Sequence, residues 1–388
     1  MKIIVLISVF SILLTKILLA QIYSHGSDSG LLIPQGFVIE NLDYSGVNST
    51  TLYSGLCISS NNPALISQIE QNSIGISYQF ESKLKPAWEN HFMHERSNLN
   101  IPQSVGFIFG QSNFFKLAFG MNQKYNSFTG HGQVDESRYG TEDLSLLHSY
   151  WEFSINSYSL LSSISLNHII TQNDKLSFGV RIDQNILTCE TYRIDPNVLN
   201  DESYGSISSK NEEYSLGLAI GIIYNTNLYG LDLKYGLYYD KGEEFSDKEF
   251  IIPRTGFLEI YYPDKILTGI GIKPIKSMEL NIESAFVRWN GVDELWENQY
   301  EYSGNLIFQI SNILFSSIGF YYTDREFKNN WRGEYYYFDE NMQAVFLTTG
   351  LSFEFRKLIL NSAYANSHWL SESHRKQSIF KIGIQYKI

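Results

Sequence analysis

The chain has 388 residues and a formal net charge of −12, from 41 acidic and 29 basic side chains. That balance excludes the basic footprint of a nucleic-acid binder, and no nucleic-acid partner is expected. Counts of 27 Tyr, 25 Phe and 28 Gly against 8 Pro suit strands with aromatic ends. Beyond Ala20 no apolar run approaches the roughly 18 residues that mark a spanning helix, so helical membrane spans are excluded.

Met1 to Ala20 carries Lys2 and then Ile3 to Leu14, apolar apart from two serines, with a small residue, Ala20, before Gln21. This reads as a cleaved secretory signal. The alternative is a retained anchor helix, for which the apolar run is short. No cysteine stands at the junction for lipidation. Without Lys2 and Lys16, 29 − 2 = 27 basic residues face 41 acidic ones, about −14.

Residues 21–72 alternate poorly and contain Leu31, Leu32, Ile33, Phe37, Val38, Ile39, Leu52, Leu56 and Ile58. Water would not tolerate so many apolar groups, so a plug is favoured over a linker. Cys57 and Cys189 lie far apart and give no disulfide framework, which leaves their pairing open.

From Ser73 onward the chain alternates. Fourteen segments follow a period of two: 73–84, 101–110, 114–126, 158–171, 175–189, 213–225, 228–240, 264–274, 277–289, 302–311, 313–323, 342–354, 357–368 and 376–388. An even number closes an antiparallel barrel. In the fifth, Leu176, Phe178, Val180, Ile182 and Ile186 oppose Ser177, Gly179, Arg181, Asp183 and Asn185. Connections alternate as well. Gln111-Ser-Asn113, Gln172-Asn-Asp174, Thr226-Asn227, Ile275-Lys276, Asn312 and Phe355-Arg356 are short, whereas 85–100, 127–157, 190–212, 241–263 and 324–341 are long. Short periplasmic turns and long outer loops are the habit of outer-membrane barrels, which face lipid with apolar residues and the lumen with polar ones. A soluble sandwich or propeller would not sort its loops by length. The sequence therefore predicts an all-β, transmembrane, antiparallel barrel of 14 strands (73–388) behind an N-terminal plug (21–72), in a bacterial outer membrane.

The last strand puts Phe380, Ile382, Ile384, Tyr386 and Ile388 on one face and Lys381, Gly383, Gln385 and Lys387 on the other. With an aromatic third from the end and an apolar final residue, it resembles the signal by which bacterial outer-membrane proteins engage the barrel assembly machinery. That machinery and membrane lipid are expected partners.

Within the plug stands Ser59-Ser-Asn-Asn62-Pro63-Ala64-Leu65. Alone, Asn before Pro is a common way to open a turn. Ahead of a 14-stranded barrel, Asn62-Pro63-Ala64 resembles the FadL family of outer-membrane long-chain fatty-acid and hydrocarbon transporters. Tyr262-Pro263-Asp264, followed by a strand with Gly269 and Gly271 and one closing in Arg288-Trp289, is a second local similarity. The resemblance implies that Asn62, Pro63 and Ala64 belong to a hatch, and that a small hydrophobic ligand moves passively from an outer-loop groove to an inner pocket. The fourth long loop, Lys241 to Pro263, is unusually apolar. Phe245, Phe250, Ile252, Phe257 and Tyr261 there, with Phe37 and Ile39 in the plug, are the expected ligand contacts. The same loop also reads as an extension of the barrel above the membrane with an aromatic girdle.

The lumen-facing positions include Arg181, Asp183, Asp232, Lys234, Glu279 and Glu283, so apolar contacts must come from hatch and loops. The polar lumen fits a second class of function, a FadL-like barrel acting as an interaction component of type IX-like protein secretion, or a structural outer-membrane protein. No catalytic residue is expected, because no Ser-His-Asp/Glu set falls on neighbouring strands. His91-Phe-Met-His94-Glu95 lacks the spacing of a zinc helix. Gly26-Ser-Asp-Ser-Gly30 has no strand before it, and Trp331 to Phe338 reads as girdle or loop packing. No enzyme activity, metal or cofactor is expected, and the protein is expected to be monomeric.

Overall fold

A computed structural model describes residues 42–47, 50–52, 62–83, 99–110, 114–131, 149–169, 174–194, 206–252, 256–291, 297–323, 344–367 and 377–388. In chain order, β1 (Leu42–Asp43) and β2 (Gly46–Val47) form a small hairpin, and Pro63–Gln68 a 3-10 helix. Then come β3 (Ser73–Lys83), β4 (Leu99–Phe109), β5 (Phe115–His131), β6 (Ser149–Asn167), β7 (Lys175–Ile194), β8 (Ser206–Leu228) and β9 (Leu231–Asp240). A separate hairpin, β10 (Glu243–Ile252) and β11 (Gly256–Tyr262), interrupts the series. It resumes with β12 (Lys265–Ile275), β13 (Met278–Val287), β14 (Gln299–Ser311), β15 (Leu314–Thr323), β16 (Ala344–Phe355), β17 (Leu358–Asn366) and β18 (Gln377–Lys387).

β3 to β9 and β12 to β18 make one closed, antiparallel barrel of fourteen strands, the number read from the sequence, each strand falling on its expected segment. β18 closes it by pairing with β3 from Gln377↔Lys83 to Lys387↔Ser73, and Ile388 N–H donates to Asn72 O at 2.8 Å. Phe380, Ile382, Ile384 and Tyr386 are exposed on the outside while Lys381 and Gln385 are buried inside. The same division holds around the wall, where exposed Val180 and Ile182 back onto buried Arg181 and Asp183. An exterior of this kind, on a closed barrel with no free edge, is what lipid demands. The protein is an outer-membrane barrel.

Several boundaries differ from the sequence reading. β5 to β8 run past 114–126, 158–171, 175–189 and 213–225 at the long-loop end. On β8 the outward series Leu218, Leu216, Tyr214 changes to Glu212 and Lys210, which sit 3.8 Å apart in solvent. Above the lipid the outer face no longer needs apolar residues, so the period-two signal stops before the strand does. The turn placed at Thr226-Asn227 is instead Tyr229-Gly230, with φ of +54° and +83°. A two-residue turn with two positive φ values favours glycine second, and Gly230 supplies it. Cys189 is a buried thiol on β7, and Cys57 falls outside the described residues.

Candidate functional site

The N-terminal segment meets the inner wall through one motif and a set of glycines. Pro63 stands at the start of the 3-10 helix, where its fixed φ and missing N–H cost nothing. Asn62 caps it, its side-chain oxygen accepting from Ala64 N–H at 3.0 Å and its carbonyl accepting from Leu65 N–H at 2.9 Å. The Asn62 amide then turns to the wall, donating to Ile222 O at 3.1 Å on β8 and to Leu237 O and Thr50 O, both at 3.3 Å. One side chain thus ties the helix start, a preceding loop and two barrel strands together.

Apolar packing completes the contact. Ala64 and Leu65 bury against Ile223, Ile66 against Ile108, Ala118 and Leu161. At the β1–β2 hairpin, Leu42 and Val47 pack on Tyr321, Phe346, Ala363, Ala365 and Ile379. Polar wall residues take up the backbone in between. Glu283 accepts from Thr50 N–H and Oγ1–H at 2.8 and 2.6 Å, Asn281 from Thr51 Oγ1–H at 3.1 Å, and Ser303 donates to Val47 O at 2.9 Å.

Five inward-facing glycines make room for this. A Cβ on Gly179 would strike Pro63 and Ala64 backbone, one on Gly221 the Asn62 side chain, and ones on Gly236 and Gly269 Thr50. A Cβ on Gly350 would strike the Tyr44 backbone. Glycine weakens a strand unless another backbone must come close, and here one does. The sequence reading did not single out this seat, although glycine at lumen positions of otherwise strong strands was its visible signal.

Asp43, at the hairpin tip, is fully buried, and burial pushes its carboxyl up to about 7 despite the attraction of Lys381 and a hydrogen bond from Tyr44 N–H.

On the long-loop side of this seat lies a buried ion network. Along β7, Arg181 and Asp183 follow Gly179 at intervals of about 7 Å. Arg181 donates to Asp183 and Asp240, each at 2.8 Å, and to Tyr238 OH at 2.9 Å. Lys124 reaches Glu243 at 2.7 Å and Asp240 at 3.5 Å and sits 4.6 Å above the Tyr262 ring. Ser159 donates to Asp183 at 2.5 Å, and Asn185 to Glu243. The carboxylate oxygens of Asp183, Asp240 and Glu243 lie within 4.8 Å of one another, a spacing that a cation could use. Lys124 and Arg181 already supply that charge.

Glu243 belongs to the outer hairpin, so the network fastens β10 to the wall. Gly217 on β8 makes room for the Glu243 carboxylate as the other glycines do for the N-terminal segment. Lys124 is itself an irregularity, the residue skipped where the β5–β6 register passes from Gln123 to Tyr125. Beside it the β4–β5 pairing stops at Ser104↔Asn122, while β5 continues on β6 to His131. Among the described residues the β4–β5 ladder therefore ends at the height of the network.

Of the residues expected to contact ligand, Phe245 lies on the face of β10 that carries Glu243 and is buried. Tyr261 is half-buried opposite Glu244. Phe250 and Ile252 are on β10 and Phe257 on β11, and Phe37 and Ile39 lie outside the described residues. Asn62, Pro63 and Ala64 come together at the wall as described, at the other end of the ion network from Phe245. The network itself was not foreseen as a unit.

This architecture is shared with solved outer-membrane channel barrels. The chain superposes on the Ralstonia pickettii toluene transporter TbuX with a TM-score of 0.66 at 12% identity, covering 91% of this chain and 100% of that one. It matches the CymD monoaromatic hydrocarbon channel at 0.60 and 11%, covering 89% and 96%. A Pseudomonas aeruginosa FadL homologue matches at 0.58 and 10%, covering 92% and 100%. No protein-family model matches the sequence, and no curated protein matches it. The resemblance to FadL-type barrels read from Asn62-Pro63-Ala64 and the strand count holds at the level of the fold.

Proposed function

We propose that this protein carries small hydrophobic molecules, long-chain fatty acids or similar, passively across the outer membrane through a hatch-plugged barrel. The observation that carries the reading is the glycine seat. Five wall strands give up side chains so that the Asn62-Pro63-Ala64 turn and the β1–β2 hairpin can lie flat against the inner face, an arrangement suited to a removable lid within residues 21–72. The substrates of the structural neighbours, toluene and monoaromatic hydrocarbons, point to the same chemistry. In this scheme ligand collects at the β10–β11 hairpin, where Phe245, Phe250, Ile252, Phe257 and Tyr261 cluster in sequence, and leaves sideways where β4 and β5 part. Phe37 and Ile39 are assigned to the hatch side of the route from the sequence alone.

Removing residues 22–60 tests the lid. In planar bilayers the intact protein should pass little current and the deletion should give large, steady steps. A deletion that is well folded yet equally closed would refute the hatch.

The polar inner wall favours a second reading, a FadL-like barrel that serves as an interaction component of protein secretion. A buried face of Ser, Asn and charged groups such as Ser303, Asn281 and Glu283 suits peptide backbone as readily as it seats the hatch.

A further inference from the structure

The ion network is closed on itself. Each cation already faces carboxylates: Lys124 meets Glu243 and Asp240, and Arg181 meets Asp183 and Asp240. A third Arg181 N–H, on Nη1, goes to Tyr238 OH, which in turn donates to Asp240 at 2.9 Å. All five charged side chains are more than nine-tenths buried. Three carboxylates against two cations leave one net negative charge. Two further inward lysines are matched as well, Lys234 with Glu279 at 2.7 Å and Lys265 with Glu301 at 3.1 Å.

The network also stands on the path. It begins one inward position above the Gly179 seat of Ala64, ends at the outer hairpin in Glu243, and flanks the end of the β4–β5 ladder with Lys124. In the proposed uptake, a molecule moving from the hairpin toward the hatch would have to pass against it. A carboxylate arriving there finds its possible partners occupied and adds a fourth negative charge in a poorly screened interior, where like charges repel strongly. Displacing Glu243 from Lys124 would leave a buried carboxylate unpaired, which is costly. A neutral apolar molecule meets neither obstacle.

We propose that the Lys124, Arg181, Asp183, Asp240 and Glu243 network is a charge filter that admits neutral hydrophobic molecules and rejects anionic ones. This rests on the uptake reading above and narrows its substrate class to uncharged molecules, setting ionised fatty acids aside, with Glu243 and Asp240 as the specificity-determining residues.

Two probes of the same length and different charge, oleyl alcohol and oleate, test it. Full-length protein in nanodiscs would be titrated with radiolabelled oleyl alcohol, and oleate would compete above the titration range of its carboxylate. The alcohol should bind at least tenfold more tightly. In Glu243→Gln and, separately, Asp240→Asn, each checked for heat-modifiable mobility, the ratio should move about tenfold toward oleate. Lys124→Met, which adds one net negative charge, should move it the other way. Oleate binding as tightly as the alcohol in the unaltered protein, or ratios that ignore all three substitutions in folded barrels, would overturn the filter and leave uptake standing. If neither probe binds, the uptake reading falls and the filter with it.

Discussion

Gly179→Ala places a methyl group where Pro63 and Ala64 backbone now lies. Neither side can give easily, because β7 is paired on both edges and the 3-10 helix is capped by Asn62 and wedged between walls. Overpacking of this kind costs about 1–3 kcal/mol. What opposes displacement is the seat. Leu65 and Ile66, both essentially buried, contribute about 1.5–3 kcal/mol each. The Asn62 amide, its two N–H groups shared among three acceptors, adds roughly 1–3 kcal/mol in all. The gross holding energy is therefore on the order of 4–9 kcal/mol, before ordering entropy is subtracted. One methyl should loosen the segment without expelling it, and at 1.4 kcal/mol per tenfold the open fraction should rise by roughly 5- to 150-fold. The assay is single-channel recording in planar bilayers, with Gly304→Ala as the control. Gly304 faces outward, and the nearest atoms its methyl would meet are those of the Phe320 ring. Brief openings should become frequent in Gly179→Ala and stay rare in the control. Equal, silent traces from two well-assembled barrels would refute the idea that this glycine exists to seat the segment.

Deleting Ile388 removes the terminal N–H to Asn72, and Tyr386→Asp puts charge on an exposed side chain of the closing strand. The charge costs up to a few kcal/mol near the midplane and about 0–1 toward the interface, so both changes should impair assembly more than transport, and unchanged heat-modifiable mobility would contradict this. Asp43 links the hairpin to pH. Its carboxyl rises from 3.8 to about 7 on burial, so the seated segment takes up a proton that the released one does not hold. The seat is then firmest below the ordinary carboxylate range and weakens as pH climbs toward 7, by an order of a few kcal/mol. Hydrogen-exchange protection over residues 42–47, taken relative to the intrinsic rate at each pH, should be greater at about pH 5 than at about pH 8, Asp43→Asn should flatten the difference, and weaker protection at the lower pH would reverse the argument.

The barrel was legible because lipid imposes one rule on every strand. Outward residues such as Ile382, Ile182 and Leu237 must be apolar, and the lumen leaves their neighbours polar, so strand number, closure and the sorting of turns from loops could be read directly. Where the rule lapses, the reading fell short. The upper parts of β5 to β8 stand in water on the outside, as Lys210 and Glu212 show, and their alternation fades. The interior was harder for a different reason. Lys124 meets Glu243, and Arg181 meets Asp240, across strands far apart in sequence and at heights set by register and tilt, which no local pattern records. The Asn62-Pro63-Ala64 motif could be picked out because a proline after a capping residue has a local meaning; its wall partners, Gly179 and Gly221, had meaning only once the segment lay against them. For Phe37 and Ile39 the sequence remains the basis of the assignment.

Native mass spectrometry of the barrel purified in mild detergent tests the central claim most directly. The account predicts barrels carrying a small apolar adduct of a few hundred daltons or less, on the order of a compact ligand pocket's capacity, released when the N-terminal segment is deleted. A stoichiometric protein partner with no small adduct would contradict it and establish the secretion reading in its place.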